Sequence, residues 1–449
     1  MKVVESIDFI IDDKLVADSD KIANCFNEYF TSVGRKLSST IKCDLDPLLY
    51  IDFNINCIDI PYICQNEILS VIKMLNNSSA GADELLPFVM KQCSNLYIHP
   101  LTHLINISIS QGSFPEELKL AKVLPIFKAD NKQLIQNYRP ISVLPYFSKI
   151  FEKIMSMYVI EFLETNNILY HNQFGFRKNH STSHAIITLV ERVSKALDTG
   201  KIVVGVFLDL KKAFDTVDHG ILLKKLYAIG IRGNVHKWFE SYLNNRSQYV
   251  VYNNAKSTVK TITHGVPQGS ILGPLLFLLY INDFSRASDL LFSIIFADDT
   301  SVFLHGTCYD KLIDILNNEL RKISLWLKAN KLTINTNKTH YMVFHRGKIK
   351  NEKKPVTLDE TEIEPKNNTK FLGIIIDNNL KWNDHISYIT NKISKSIGIF
   401  YKARKFLNKK TLRNMYFTFI YPYLIYCVEI WGNACNTYLD PLIKLQKNA

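Results

Sequence analysis

The chain mixes two hydrophobic rhythms: long stretches with apolar residues every three or four positions, and short unbroken apolar runs bounded by turns. Ile22, Phe26, Tyr29 and Phe30 stand at helical spacing, so residues 1–60 are predicted to hold one or two amphipathic helices. Residues 61–118 continue mainly helical across a polar, glycine-bearing turn at 76–83, where Asp83 is a candidate N-cap. The rhythm then shortens. Residues 123–127 form a strand ending at Lys128, answered across a polar turn by a second extended segment at 137–142. Helices are predicted at about 144–166, 182–198 and 220–245. Residues 202–208 lack polar alternation altogether, the mark of a strand buried on both faces. A hairpin over 249–263 turns near Asn253 and Asn254, and a glycine-bearing loop at 264–270 leads into an apolar helix from Ile271. Apolar runs on either side of Asp298 and Asp299 predict a buried hairpin with carboxylates at its tip. A helix over 309–331, a strand over 339–344, a loose Lys-rich hairpin over 346–368 and a buried strand over 371–377 come next, and from His385 the chain is helical and basic.

A chain of 449 residues holds two to four subdomains, and its 47% hydrophobic content is that of a folded protein. The net charge of +12 suits a polyanionic partner without proving one. Eight cysteines never form a Cys-x-x-Cys pair, which points to reduced thiols inside a cell and not to a zinc knuckle or disulfide scaffold. The N-terminus alternates charged and apolar residues, unlike a signal peptide. The longest apolar run, 271–281, contains Pro274 and is too short to span a bilayer. Residues 415–431 are aromatic-rich but include Pro422 and Glu429, so a buried helical hairpin is expected there, and no membrane partner.

Candidate chemistry is spread along the chain. Two adjacent carboxylates beside a core repel one another and lose solvation, a conflict that a hard cation such as Mg²⁺ relieves, although an acidic pair alone is more often an ordinary turn. Asp209 closes the buried strand, a placement that serves catalysis or caps a helix. Pro140 forces Arg139 into extended backbone, so Lys128 and Arg139 sit on two arms of one hairpin, suited to gripping phosphate or simply solvated. The string Gln173-Phe174-Gly175-Phe176-Arg177 can stack on bases and hold a template strand, or can be a glycine corner pinned into the core by two phenylalanines. Gly269 lets a ligand approach the backbone closely, and Ser270 can cap the following helix. Past His385, Lys402, Arg404, Lys405, Lys409, Lys410 and Arg413 interleave with Phe400, Tyr401 and Phe406, as a solvated face or a surface that tracks a nucleic-acid backbone.

Seven strings in order carry a family resemblance: Val123-Leu124-Pro125-Ile126-Phe127-Lys128, Asn137-Tyr138-Arg139-Pro140-Ile141-Ser142, Gln173 to Arg177, Val206 to Asp215, Gly265-Val266-Pro267-Gln268-Gly269-Ser270, Phe296-Ala297-Asp298-Asp299, and Phe371-Leu372-Gly373. From about residue 65 onward the chain resembles the reverse transcriptase domain of non-LTR (LINE-like) retrotransposons, especially the jockey-type branch. The resemblance implies an α+β right-hand polymerase with an antiparallel palm sheet backed by helices. It divides the chain into an N-terminal helical extension (1–60), fingers (61–200), palm (201–370, with a fingers insertion at about 216–263), and a primer-grip strand with partial thumb (371–449). It implies an RNA-directed DNA polymerase that extends a DNA primer on an RNA template with deoxynucleoside triphosphates. Two Mg²⁺ ions would be held by Asp209, Asp298 and Asp299, with Asp298 the surer ligand of the pair. By the same resemblance Lys128 and Arg139 contact the triphosphate, Gln268 and Gly269 line the nucleotide pocket, and the Phe214 ring excludes a 2′-hydroxyl. Lys338 would act as general acid for pyrophosphate, Phe371, Leu372 and Gly373 would grip the primer, and Arg177 would touch the template. Family behaviour places such an enzyme on chromosomal DNA in the nucleus. Family members also carry an endonuclease domain before this region and further sequence after the thumb, whereas the pattern here stops mid-helix at 446–449. The alternative expectation is therefore a truncated, catalytically silent relic that only binds nucleic acid. Phe214 and Pro267-Gln268-Gly269 disfavour a viral-type RNA-directed RNA polymerase, and a three-carboxylate nuclease leaves the loop at 265–269 unexplained. No motif speaks to oligomeric state.

Overall fold

Ile202–Leu208, six apolar residues and one glycine, is the central strand of a five-stranded sheet in the computed structural model, which describes residues 8–347 and 354–447. The spatial order is Glu364–Pro365, His340–Phe344, Ile202–Leu208, Asp299–Gly306, Phe292–Phe296, antiparallel except for the short first pair. A strand flanked on both edges and covered on its faces offers no solvated position, hence its unbroken apolar run. Gly205 is needed where Phe303 crosses it, since a Cβ there would meet that ring at 2.5 Å. Helix Thr182–Asp198 packs on this sheet, capped by Ser181 Oγ accepting from His184 N at 3.2 Å. Its Ala185, Leu189 and Val193 share a core with Val203, Phe207, Met342 and Phe344, and each such Leu or Val contributes roughly 1.5–3 kcal/mol by burial.

The sheet belongs to one of two compact units, formed by residues 172–209, 288–322 and 334 onward. The other unit takes the residues up to 171 together with 210–287 and 323–333. Its sheet orders Tyr138–Val143, Leu120–Phe127, Ser247–Tyr252 and Ala255–Lys256, with Lys260–Thr261 also pairing Ser247–Tyr252. Helix Ser19–Ser39 lays Ile22, Phe26 and Phe30 into a core with Val123, Tyr138 and Val250.

Most predicted elements are present, and five differ, the first being the helix predicted at 220–245, which is two, His219–Ala228 and Gly233–Leu243. Residues 1–60 hold one long helix but also a small hairpin, Phe9–Ile11 with Lys14–Val16, whose Phe9 ring meets Phe26 at 5.1 Å. Asp83 does not cap the helix Pro87–Gln92; its Oδ2 accepts from Tyr146 N at 2.8 Å, the first residue of the distant helix Tyr146–Thr165. Residues 371–377 are not one strand. Asn368–Phe371 and Ile374–Asp377 pair across a turn at Leu372 (φ 44°) and Gly373 (φ 95°), a two-residue loop that needs positive φ at both positions. The stretch 415–431 is no buried hairpin: Lys409–Phe419, Tyr421–Ile425 and Val428–Trp431 are separate helices broken around Pro422, with Ile420, Cys427 and Trp431 buried and the rest exposed or half-buried. Within the predicted hairpin over 346–368, Thr357–Leu358 pairs with Thr361–Glu362, while residues 348–353 lie outside the described residues. Among the described residues no helix is long and apolar enough to cross a membrane.

Candidate active site

Asp298 sits in the tightest turn of the central sheet. Phe296 faces Asp299 across the ladder, which leaves Ala297 and Asp298 as a two-residue loop. Ala297 adopts φ 56°, a left-handed conformation that costs a non-glycine residue roughly 1–2 kcal/mol. Surrounding structure must hold that strain, and residues 172–175 do so. Phe174 N donates to Ile295 O at 2.8 Å, and Ile295 N donates to Asn172 O at 3.0 Å. The buried Gln173 side chain accepts through Oε1 from Gly175 N at 2.9 Å and from Ala297 N at 3.4 Å. Gly175 lies so close under the turn that an added Cβ would stand within 3.1 Å of Ala297 Cα and closer still to its nitrogen. The Gln-Phe-Gly-Phe string is thus a brace for the acidic turn. Phe174 joins the core, while Phe176 is 54% exposed, so only one of the two phenylalanines pins the corner.

Asp209 follows the last residue of the central strand. Leu208 pairs with Thr300, and the next positions outward on the two strands are Asp209 and Asp299. Asp209 N donates to Thr339 Oγ1 at 3.2 Å, and Asn335 grips the same residue twice: its Nδ2 donates to Asp209 Oδ2 at 2.8 Å and its N to Asp209 O at 2.7 Å. Asn335 escaped the sequence reading because nothing in its neighbourhood marks it, apart from a polar stretch before a strand. Lys338 is exposed on the same loop, its N donating to Asn335 O at 3.1 Å. Asp298 and Asp299 are both exposed. Among the described residues no three His, Cys, Asp or Glu side chains converge as a ready ligand set. The strand register, and not a formed coordination shell, relates Asp209 to the turn. The donor chemistry of three carboxylates suits a hard divalent cation.

Elsewhere in this unit, Phe371 is buried 5.7 Å from the Phe207 ring, and the Leu372 carbonyl accepts from the Tyr426 hydroxyl. Arg177 Nη1 donates to Gln173 O at 3.4 Å.

The remaining candidates belong to the other unit. Ile126 pairs with Arg139, so Lys128, two residues on, lies on the same face of the hairpin as Arg139; both are exposed. A third cation, unmarked in the sequence reading, joins them. Lys212, at φ 48°, donates through Nζ to Gln136 O at 3.1 Å and to Tyr138 O at 3.5 Å. Burial holds its ammonium below the usual value, with Asp215 opposing and Lys128 and Arg139 adding to the depression. Phe214 stacks on the fully buried Phe277 at 4.5 Å. The loop 265–269 is docked edgewise on strand Tyr138–Val143: Ser142 N donates to Gln268 O at 2.7 Å, and Gly269, at φ 114°, would with a Cβ meet Ser142 O at 2.5 Å.

The helix Leu272–Ile281 after this loop begins on Ser270 Oγ, which accepts from Gly273 N at 2.8 Å, and on a buried carboxylate no motif announced. Glu152 Oε2 accepts from Ile271 N at 2.7 Å and from Leu272 N at 3.2 Å. Burial pushes the Glu152 carboxyl up, opposed by the nearby buried Arg246. Replacing Glu152 with Ala leaves both helix amides without their acceptor and the buried Arg246 without the carboxylate charge that acts on it. It is expected to cost about 3–5 kcal/mol in urea unfolding; a loss below about 1 kcal/mol would show that Arg246 is satisfied by other means.

Residues 126–376 match the family described as "Reverse transcriptase (RNA-dependent DNA polymerase)". The chain is 28% identical over 385 residues to a Drosophila melanogaster protein called a probable RNA-directed DNA polymerase from transposon X-element, covering 84% of this chain and 42% of that protein. A second, from transposon BS of the same species, is 27% identical across 97% of this chain and 50% of its own length. The RNA-directed DNA polymerase from mobile element jockey of Drosophila funebris is 26% identical, with 85% and 42% covered. The chain spans about half the length of these relatives or less.

Proposed function

This chain belongs to the reverse transcriptase (RNA-dependent DNA polymerase) family, and on that premise we propose that it extends a DNA primer on an RNA template by adding deoxynucleotides to the 3′-hydroxyl. The observation that carries the reading is the placement of Asp209 and Asp299 at successive outward positions of paired strands, with Asp298 in the adjoining turn. We assign the fingers to residues 61–200 with the insertion at about 216–263, the palm to 201–370, and the primer grip and thumb helices to 371 onward. Asp209, Asp298 and Asp299 would hold two Mg²⁺ ions, whose charge would lower the pKa of the primer hydroxyl and offset that of the triphosphate and pyrophosphate.

The chain's own residues take the other roles. Asn335 orients the Asp209 carboxylate, and the Gly175 brace fixes the turn that carries Asp298. Lys128, Arg139 and Lys212 form the cationic face that suits a triphosphate. Lys338, exposed beside the Asn335 loop, is assigned the proton for pyrophosphate, Arg177 a template contact, and the turn at Leu372 and Gly373 the primer grip. The Phe214 ring, backed by Phe277, excludes a 2′-hydroxyl by contact. Phe214→Val is accordingly expected to raise ribonucleotide incorporation relative to deoxynucleotide by about 10²-fold; unchanged sugar discrimination removes the gate from Phe214.

The reading is tested by primer extension on an RNA template with Mg²⁺, with and without chelator. Chelator-sensitive extension supports it. Salt-sensitive RNA binding with no incorporation would instead leave a binding protein.

A further inference from the structure

We propose that Asp215 is a positioning residue for nucleotide selection: its ionised carboxylate fixes the sense of the Gln268 amide, leaving the Gln268 carbonyl oxygen as the acceptor offered to the incoming nucleotide. This rests on reading the loop 265–269 as part of the nucleotide pocket. Gln268 Nε2 donates to Asp215 Oδ1 at 2.8 Å. A carboxylate only accepts, so the amide must present its N–H to Asp215 and turn its oxygen away; a protonated carboxyl can donate and would admit the reversed amide. Both backbones are held. Gln268 O accepts from Ser142 N at 2.7 Å, Asp215 N donates to Lys212 O at 2.8 Å, and Val266 N donates to Phe214 O at 2.9 Å. Gly34 of the N-terminal helix closes the far side, packed so tightly that any Cβ would collide with the Asp215 carbonyl.

The charged and titratable groups around Asp215 are few. Lys212 faces it from its own segment, with Lys128 and Arg139 acting on Lys212 from the hairpin, and Tyr29 faces it from the N-terminal helix. Burial raises the Asp215 pKa from 3.8 to about 6, against Gln268 and Lys212. The group is therefore ionised at neutral pH and titrates just below it.

The test is steady-state incorporation of a deoxynucleoside triphosphate between pH 5.5 and 8. The wild-type KM is expected to rise as pH falls through about 6, with kcat following a separate profile. Asp215→Asn can bond to either amide sense; it is expected to raise KM about fivefold at pH 7.5, the worth of one hydrogen bond, and to flatten the profile near pH 6. In a Gln268→Ala background the same substitution should add nothing to KM. Additive losses, or an unchanged profile in the variant, overturn the proposal. Stability moves the opposite way. A raised carboxyl binds its proton more tightly when folded, so as pH rises from about 4 to 6 the wild type should lose Tm relative to Asp215→Asn. A wild type that incorporates nothing defeats the polymerase reading by itself. The Asp215 proposal is then decided by the Gln268 side-chain amide resonance, which must shift through about pH 6 in the wild type and stay still in Asp215→Asn; a stationary wild-type signal overturns it.

Discussion

Asp209→Asn is expected to reduce nucleotide addition about 10³-fold or more while leaving the fold intact. The asparagine keeps an oxygen for Asn335 Nδ2, and the bonds made by the Asp209 main chain to Thr339 and Asn335 do not involve the side chain. What it loses is the charge. A metal acting as Lewis acid supplies several kcal/mol to the transition state, and each 1.36 kcal/mol is tenfold in rate, so a loss near 4 kcal/mol corresponds to about three orders of magnitude. Asp298→Asn should behave alike and with still less effect on stability, since its side chain is exposed at the turn. Single-nucleotide extension read beside thermal melting checks both. If either variant extends primers like the wild type, that carboxylate holds no catalytic metal.

The second large effect concerns a residue with no side chain. Adding one methyl at Gly175 drives it into the main-chain nitrogen of Ala297, which cannot rotate away as a side chain would. Overpacking of this kind costs typically about 1–3 kcal/mol in stability. The functional loss should be larger than that figure suggests. A shift of about 1 Å in the turn that presents Asp298 is enough to lower the rate about 10²-fold. The measurement is the rate at saturating template. A brace loses rate there, whereas a mere template grip would raise only the template concentration needed. Gly175→Ala with wild-type rate at saturation would return the string to its role as a template contact.

The helical part of the chain was legible because burial has a local signature. Ile22, Phe26 and Phe30 recur at one helical face, and the helices at 146–165, 182–198 and 309–329 follow from the same spacing. Where a short apolar run met a glycine, the period was ambiguous: Phe371 to Asp377 has the composition of one buried strand, and only positive φ at Leu372 and Gly373 makes it two. The aromatic stretch 415–431 misled for a related reason. Aromatic content resembles core, but only Ile420, Cys427 and Trp431 are buried there, while Phe417, Phe419 and Tyr421 stay exposed.

By itself the sequence determined most of the long helices and the buried strands at 202–208 and around Asp298, the three candidate carboxylates, and the positions where glycine or proline constrain the backbone. Those are properties of neighbouring residues, written in periodicity and in steric limits on φ and ψ. Only the tertiary structure decided that Gly175 underlies Ala297, that Asn335 holds Asp209, that Asp215 aims Gln268, and that Glu152 caps a helix more than a hundred residues away. Each of these is a close approach or a single hydrogen bond between segments far apart in the chain, satisfied by whichever polar group the folded backbone brings within reach.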